Sequence, residues 1–111
     1  MDRILFNDYQ DFTETTAIYK ENLPTFNARL SYVALGLTGE AGEVAEKIKK
    51  LLRDGTYVPE DVLRELGDVL YYIAQMSSLL GYELEEVAHQ NMIKLRVRKA
   101  EGKIGGSGDY R

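Results

Sequence analysis

The feature that most constrains this chain is an apolar stripe that steps by three and four over two long stretches. One runs Leu30, Val33, Leu37, Ala41, Val44, Ile48 and Leu51, the other Val62, Leu66, Val69, Ile73, Met76 and Leu80. That step keeps apolar residues on one side of an α-helix, and no segment alternates with period two long enough to make a strand. The ends are marked too. Asp54-Gly55 closes a helix expected over about 28–53, Pro59 with Glu60 and Asp61 suits the first turn of the next, and Gly81 ends that one. A fourth helix is expected over about 83–99, with Leu84, Ala88, Asn91 and Leu95 inward. A first is expected from an Asn7 cap to about Tyr19, with Gln10 completing a capping box and Tyr9, Phe12, Thr16 and Tyr19 along one side. The expected fold is all-α, a helical bundle built on a long antiparallel hairpin. That hairpin has more faces than two short flanking helices can cover, so a homo-oligomer is expected.

The 111 residues suit one domain, read as 1–101, followed by a Gly-rich tail over 102–111. With no cysteine, disulfides, thiolate metal sites and a Cys nucleophile are excluded, and one histidine, His89, rules out a His-rich metal site within a chain. Residues 1–90 carry 16 acids against 8 bases, and 91–111 carry 2 against 6. This overall acidic balance argues against a nucleic-acid polymer as partner. An acidic body with a basic end suits metal cations beside a polyanion. Neither a membrane-spanning run nor a signal-peptide pattern is present, so the expectation is a cytoplasmic protein with no membrane partner.

The chemistry-bearing residues sit on the hairpin. Glu40-x-x-Glu43 and Glu65-x-x-Asp68 each place two carboxylates one turn apart on a helical face. Each pair lies roughly 90–100° to the same side of its stripe, so antiparallel packing opens both on one side of the hairpin. Counting from the turn puts Glu43 level with Asp68 and Lys47 level with Glu65, with Glu40 close by. Four converging oxygen-rich groups are what Mg²⁺ prefers, and they would repel one another without cations or protons. Gly36, Gly39 and Gly42 inside this helix each cost about 1 kcal/mol relative to Ala, which calls for close approach by a ligand or a neighbouring helix. On the fourth helix Asn91, Lys94 and Arg98 share a broad face that could meet phosphate oxygens.

Three segments together carry a resemblance. They are Leu37-Thr-Gly-Glu-Ala-Gly-Glu-Val-Ala-Glu-Lys-Ile-Lys-Lys50, Glu65-Leu-Gly-Asp-Val-Leu-Tyr-Tyr72 and Asn91-Met-Ile-Lys94. In this order the chain resembles the MazG-like nucleotide pyrophosphohydrolases of the all-α NTP pyrophosphatase superfamily, over about residues 7–111. The resemblance implies Mg²⁺-dependent hydrolysis (Mn²⁺ as a substitute) of a nucleoside triphosphate to the monophosphate and pyrophosphate. It implies Glu40, Glu43, Glu65 and Asp68 as metal-site residues, and Tyr72, Asn91 and Lys94 near the nucleotide. It also implies self-association as a homodimer or homotetramer. Lys47 and Arg98 are added as substrate contacts from geometry, and Glu40 or Glu43 is the candidate general base. Two other classes stay open. Glu86-x-x-His89 is half of a carboxylate-bridged di-iron motif, and a helical interaction module could keep this pattern without catalysis.

Overall fold

The computed structural model describes residues 1–105, so the expected tail lies outside the described residues from position 106 on. The described residues form α1 (Phe6–Glu14), a 3₁₀ turn (Ile18–Asn22), α2 (Phe26–Asp54), α3 (Pro59–Leu79) and α4 (Leu84–Ala100), with no strand among them. α2 starts two residues earlier than expected because Thr25 is its cap, its hydroxyl accepting from the Ala28 N–H at 3.1 Å. It stops at Gly55, whose φ of 76° is a conformation a side chain disfavours.

The first helix differs from expectation in length and in capping. Thr13, Thr15 and Thr16 turn their hydroxyls onto the carbonyls of Gln10, Phe12 and Thr13, at 2.7, 2.7 and 3.1 Å. Such local bonds compete with the helical ladder, and α1 ends at Glu14. Asn7 and Gln10 form no capping box; Leu5 precedes the helix and no side chain caps it. Both instead reach across to α4. Gln10 Oε1 accepts the Leu84 N–H at 2.7 Å and Asn7 Oδ1 accepts that of Glu85 at 3.2 Å. Gln10 Nε2 also donates to the Tyr82 carbonyl and the Ser78 hydroxyl. Two donors that the start of a helix always leaves open are thus satisfied from a distant segment.

α2 and α3 make the most extensive contact in the fold. Gly36 lies against Tyr72 and Lys47 against Glu65, so the pairs run in opposite chain order. The inward positions are not quite the expected stripe. On α2 the partly or fully buried residues include Val33, Leu37, Glu40, Val44, Lys47 and Leu51, while Ala41 and Ile48 are exposed. On α3 they include Val62, Glu65, Val69, Tyr72 and Met76, while Leu66 and Leu80 are about half exposed. The seams keep most of the expected stripes, Leu30 and Ile73 included, and lean to one side of them, drawing Glu40, Lys47, Glu65 and Tyr72 inward and turning Ala41, Ile48, Leu66 and Leu80 out.

α4 packs on α1 and α3 through its first turns, with Leu84 buried and Ala88 half-buried. Asn91 and Leu95, expected inward, are exposed, because α4 has no concentrated apolar face to hold it against the bundle. Arg98 is buried, at 6 % exposure. Among the described residues the buried apolar side chains are only Ala17, Val33, Ala74 and Leu84.

Candidate functional site

Three of the four acids meet. Carboxylate oxygens of Glu40, Glu65 and Asp68 lie within 4.8 Å of one another, on the seam between α2 and α3. Glu43 is exposed and stands outside this group. Glu43 shares the helical face of Glu40 one turn on, and its charge still acts on Glu40, but its own oxygens do not join the three. Burial, then the charges of Asp68 and Glu65, raise the pKa of Glu40 above its ordinary value. Crowded carboxylates favour a shared proton or a cation in this way. Lys47 Nζ stands 4.0 Å from Glu65 Oε1, a weak partial counter-charge.

A cavity of about 340 Å³ opens beside the group, lined by Thr16, Glu40, Asp68, Tyr71 and Tyr72. Its back wall is aromatic. Tyr19 stacks on Tyr32 at 4.7 Å, Tyr32 tilts against Tyr72 at 6.4 Å, and Tyr71 meets Tyr72 edge-on at 5.2 Å. Tyr72 lies so close to α2 that only glycine fits at position 36, whereas nothing approaches Gly39 or Gly42. Burial and a hydrogen bond to Tyr32 push the Tyr72 phenol up to about 12. Tyr19 is pushed equally far by burial and the charge of Glu14. Its hydroxyl donates at 2.8 Å to Gln75, a fully buried amide whose nitrogen donates to Thr13 and Glu14.

The α4 residues go elsewhere. Asn91 and Lys94 line a separate groove with Tyr82, Glu86, Val87 and Gln90. Arg98 is buried near the end of α4, and lines neither cavity. Glu86 and His89 line a third groove with Phe6 and Met92, and among the described residues the cation-sized acidic group contains no histidine. Sequence reasoning missed Thr16 and Tyr71 as walls of the acidic cavity, and missed Tyr9, whose phenol feels the charge of Asp68. The only signal for Tyr9 and Thr16 was their common face on the first helix.

Residues 29–102 match the model of the MazG nucleotide pyrophosphohydrolase domain. The chain belongs to that family. The matched segment takes in α2 from Arg29 on, α3, α4 and the whole acidic group, but not α1. A relative, the Gene 37 protein of Mycobacterium phage L5, is 51 % identical over 87 residues, covering 74 % of this chain and 76 % of its own length. No solved structure matches. MazG membership makes the chain a nucleotide pyrophosphohydrolase by family, a hydrolase of phosphorus anhydrides whose relatives are generally dependent on divalent metal. No helix among the described residues is long and apolar enough to cross a membrane.

Proposed function

We propose that this protein hydrolyses a nucleoside triphosphate, ribo or deoxyribo, to the monophosphate and pyrophosphate with Mg²⁺, acting in the cytoplasm. The observation that carries this is the convergence of Glu40, Glu65 and Asp68 within 4.8 Å in a MazG chain. The donor set fits the ion: all oxygen, all carboxylate, with burial and the charges of Asp68 and Glu65 raising the pKa of Glu40. These three side chains would hold the metal, which would supply positive charge against the triphosphate; Mn²⁺ would substitute. Glu43, one turn from Glu40 and outside the group, is left to take the proton of the attacking water. The water oxygen bonds to a phosphorus of the α–β bridge, the bridging P–O bond breaks, and monophosphate and pyrophosphate leave. Lys47 supports the phosphate tail and Tyr72 walls the nucleoside side.

Self-association completes the reading. A folded monomer of 12.6 kDa is expected to expose roughly 6,200 Å², whereas this chain exposes 8273 Å². Leu35, Leu52, Leu63 and Leu66 are each more than half exposed. A second copy of the chain, in a homodimer or homotetramer, is the occupant we assign to that surface. It would also let the exposed Asn91 and Lys94 serve a site that their own chain's acidic cavity does not include, with the buried Arg98 holding the end of α4 behind them. The test is a panel of NTPs and dNTPs with Mg²⁺, read as pyrophosphate and monophosphate. The expected products are those two in equal amounts. Orthophosphate with diphosphate, or no turnover of any nucleotide, overturns the proposal.

A further inference from the structure

The acidic cavity has one wall that no carboxylate explains. Thr16, from the segment after α1, and Tyr71, from α3, bring their hydroxyl oxygens 3.4 Å apart at its edge. Hydroxyl pairs normally close to about 2.7–2.8 Å, so this contact is long and cheap to open. The Thr16 proton is already given to the Thr13 carbonyl at 3.1 Å, which leaves the Thr16 oxygen as an acceptor. Tyr71 keeps a proton to give. Together they present one acceptor and one donor, the complement of a single alcohol group. The cavity holds no amide side chain that could read a base edge; its other polar groups are Glu40, Asp68 and the Tyr72 phenol. Gln10 and Gln75, the nearby amides, are buried and fully engaged.

Resting on the reading of this cavity as the nucleotide site, we propose that Thr16 and Tyr71 form a sugar-reading pair, in which a nucleotide hydroxyl donates to Thr16 Oγ1 and accepts from the Tyr71 phenol. Thr16 comes from a segment outside the stretch that matches the MazG domain, whereas Tyr71 lies within it.

The experiment compares one base with three sugars, the ribo-, 2′-deoxy- and 3′-deoxynucleoside triphosphates, on wild type, Thr16→Val and Tyr71→Phe. Turnover is read as kcat/KM. Binding of non-hydrolysable analogues of the same nucleotides is read by calorimetry with Mg²⁺ on the full chain. Removing the recognised hydroxyl from the substrate should cost wild type about five- to tenfold, the worth of one such bond. Both variants should shrink that penalty at the same sugar position and leave the other position unaffected; penalties lost at two different positions overturn the pair. A fall of equal size on all three sugars in both variants means a structural role only and overturns the pair. Wild type that binds the three equally also overturns it. Binding with sugar selectivity but without pyrophosphate release would sink the proposed reaction and leave the pair standing.

Discussion

Replacing Gly36 with alanine isolates the packing of one ring against one helix. A Cβ at this position would overlap the Cε1 and Cζ atoms of Tyr72 and lie 2.7 Å from its Cδ1, against about 3.5–4.0 Å for a comfortable carbon pair. The ring must move by roughly 1 Å, and overpacking of that size costs about 1–3 kcal/mol. Alanine returns about 1 kcal/mol of helix propensity. In wild type the net change should be neutral to about 2 kcal/mol destabilising. In a Tyr72→Ala background the obstacle is gone, and Gly36→Ala should stabilise by about 1 kcal/mol. The two backgrounds should thus differ by about 1–3 kcal/mol. Tyr72→Phe keeps the ring and should give no such relief. The assay is urea unfolding of the six proteins, the three backgrounds with and without Gly36→Ala, at one protomer concentration, since an oligomer's stability depends on it. Equal effects of Gly36→Ala in both backgrounds would refute the idea that the ring, and not the helix alone, demands glycine. Because Tyr72 lines the acidic cavity, the same variant should also raise KM for the nucleotide.

Other expectations follow from the same contacts. Glu40 has a raised pKa, so its charge destabilises the metal-free fold above that pKa, and the penalty fades as pH falls toward the ordinary value of 4.5. Glu40→Gln should therefore melt higher than wild type at neutral pH without metal, and the gap should close by about pH 4 in thermal scans; a gap that widens on acidification is the opposite sign. Asp68→Asn should leave the helical circular dichroism intact while weakening Mg²⁺ or Mn²⁺ binding and removing turnover; near-normal turnover at saturating Mg²⁺ would contradict its place in the group. Gln75→Leu removes the acceptor of the half-buried Tyr19 hydroxyl and a donor to Thr13, whose own hydroxyl keeps its bond to Gln10, so it should cost about 1–3 kcal/mol in urea unfolding. Leu66→Glu, at a position half exposed in the single chain, should lower the mass seen by light scattering with little loss of helix; an unchanged mass would remove Leu66 from any interface.

Periodicity, punctuation and charge decided the helices. A three-four step cannot be satisfied by a strand, and Asp54-Gly55, Pro59 and Gly81 act through their own backbones, so their meaning is local and readable. The pairing of Glu40 with Glu65 and Asp68 was legible in part, because spacing fixes which residues share a helical face. The choice of which face turns inward was not. Ala41, Ile48 and Leu66 are as apolar as any core residue, and a sequence cannot distinguish an apolar row that faces its own partner helix from one that faces outward. Only the packed α2–α3 pair settled that, placing Glu40, Lys47, Glu65 and Tyr72 in the seam and leaving Glu43 outside. The reach of Asn7 and Gln10 to the start of α4, and the arrival of Thr16 and Tyr71 at one cavity, join positions 55 to 78 residues apart. Such contacts arise from how helices lie across one another, which no local preference encodes.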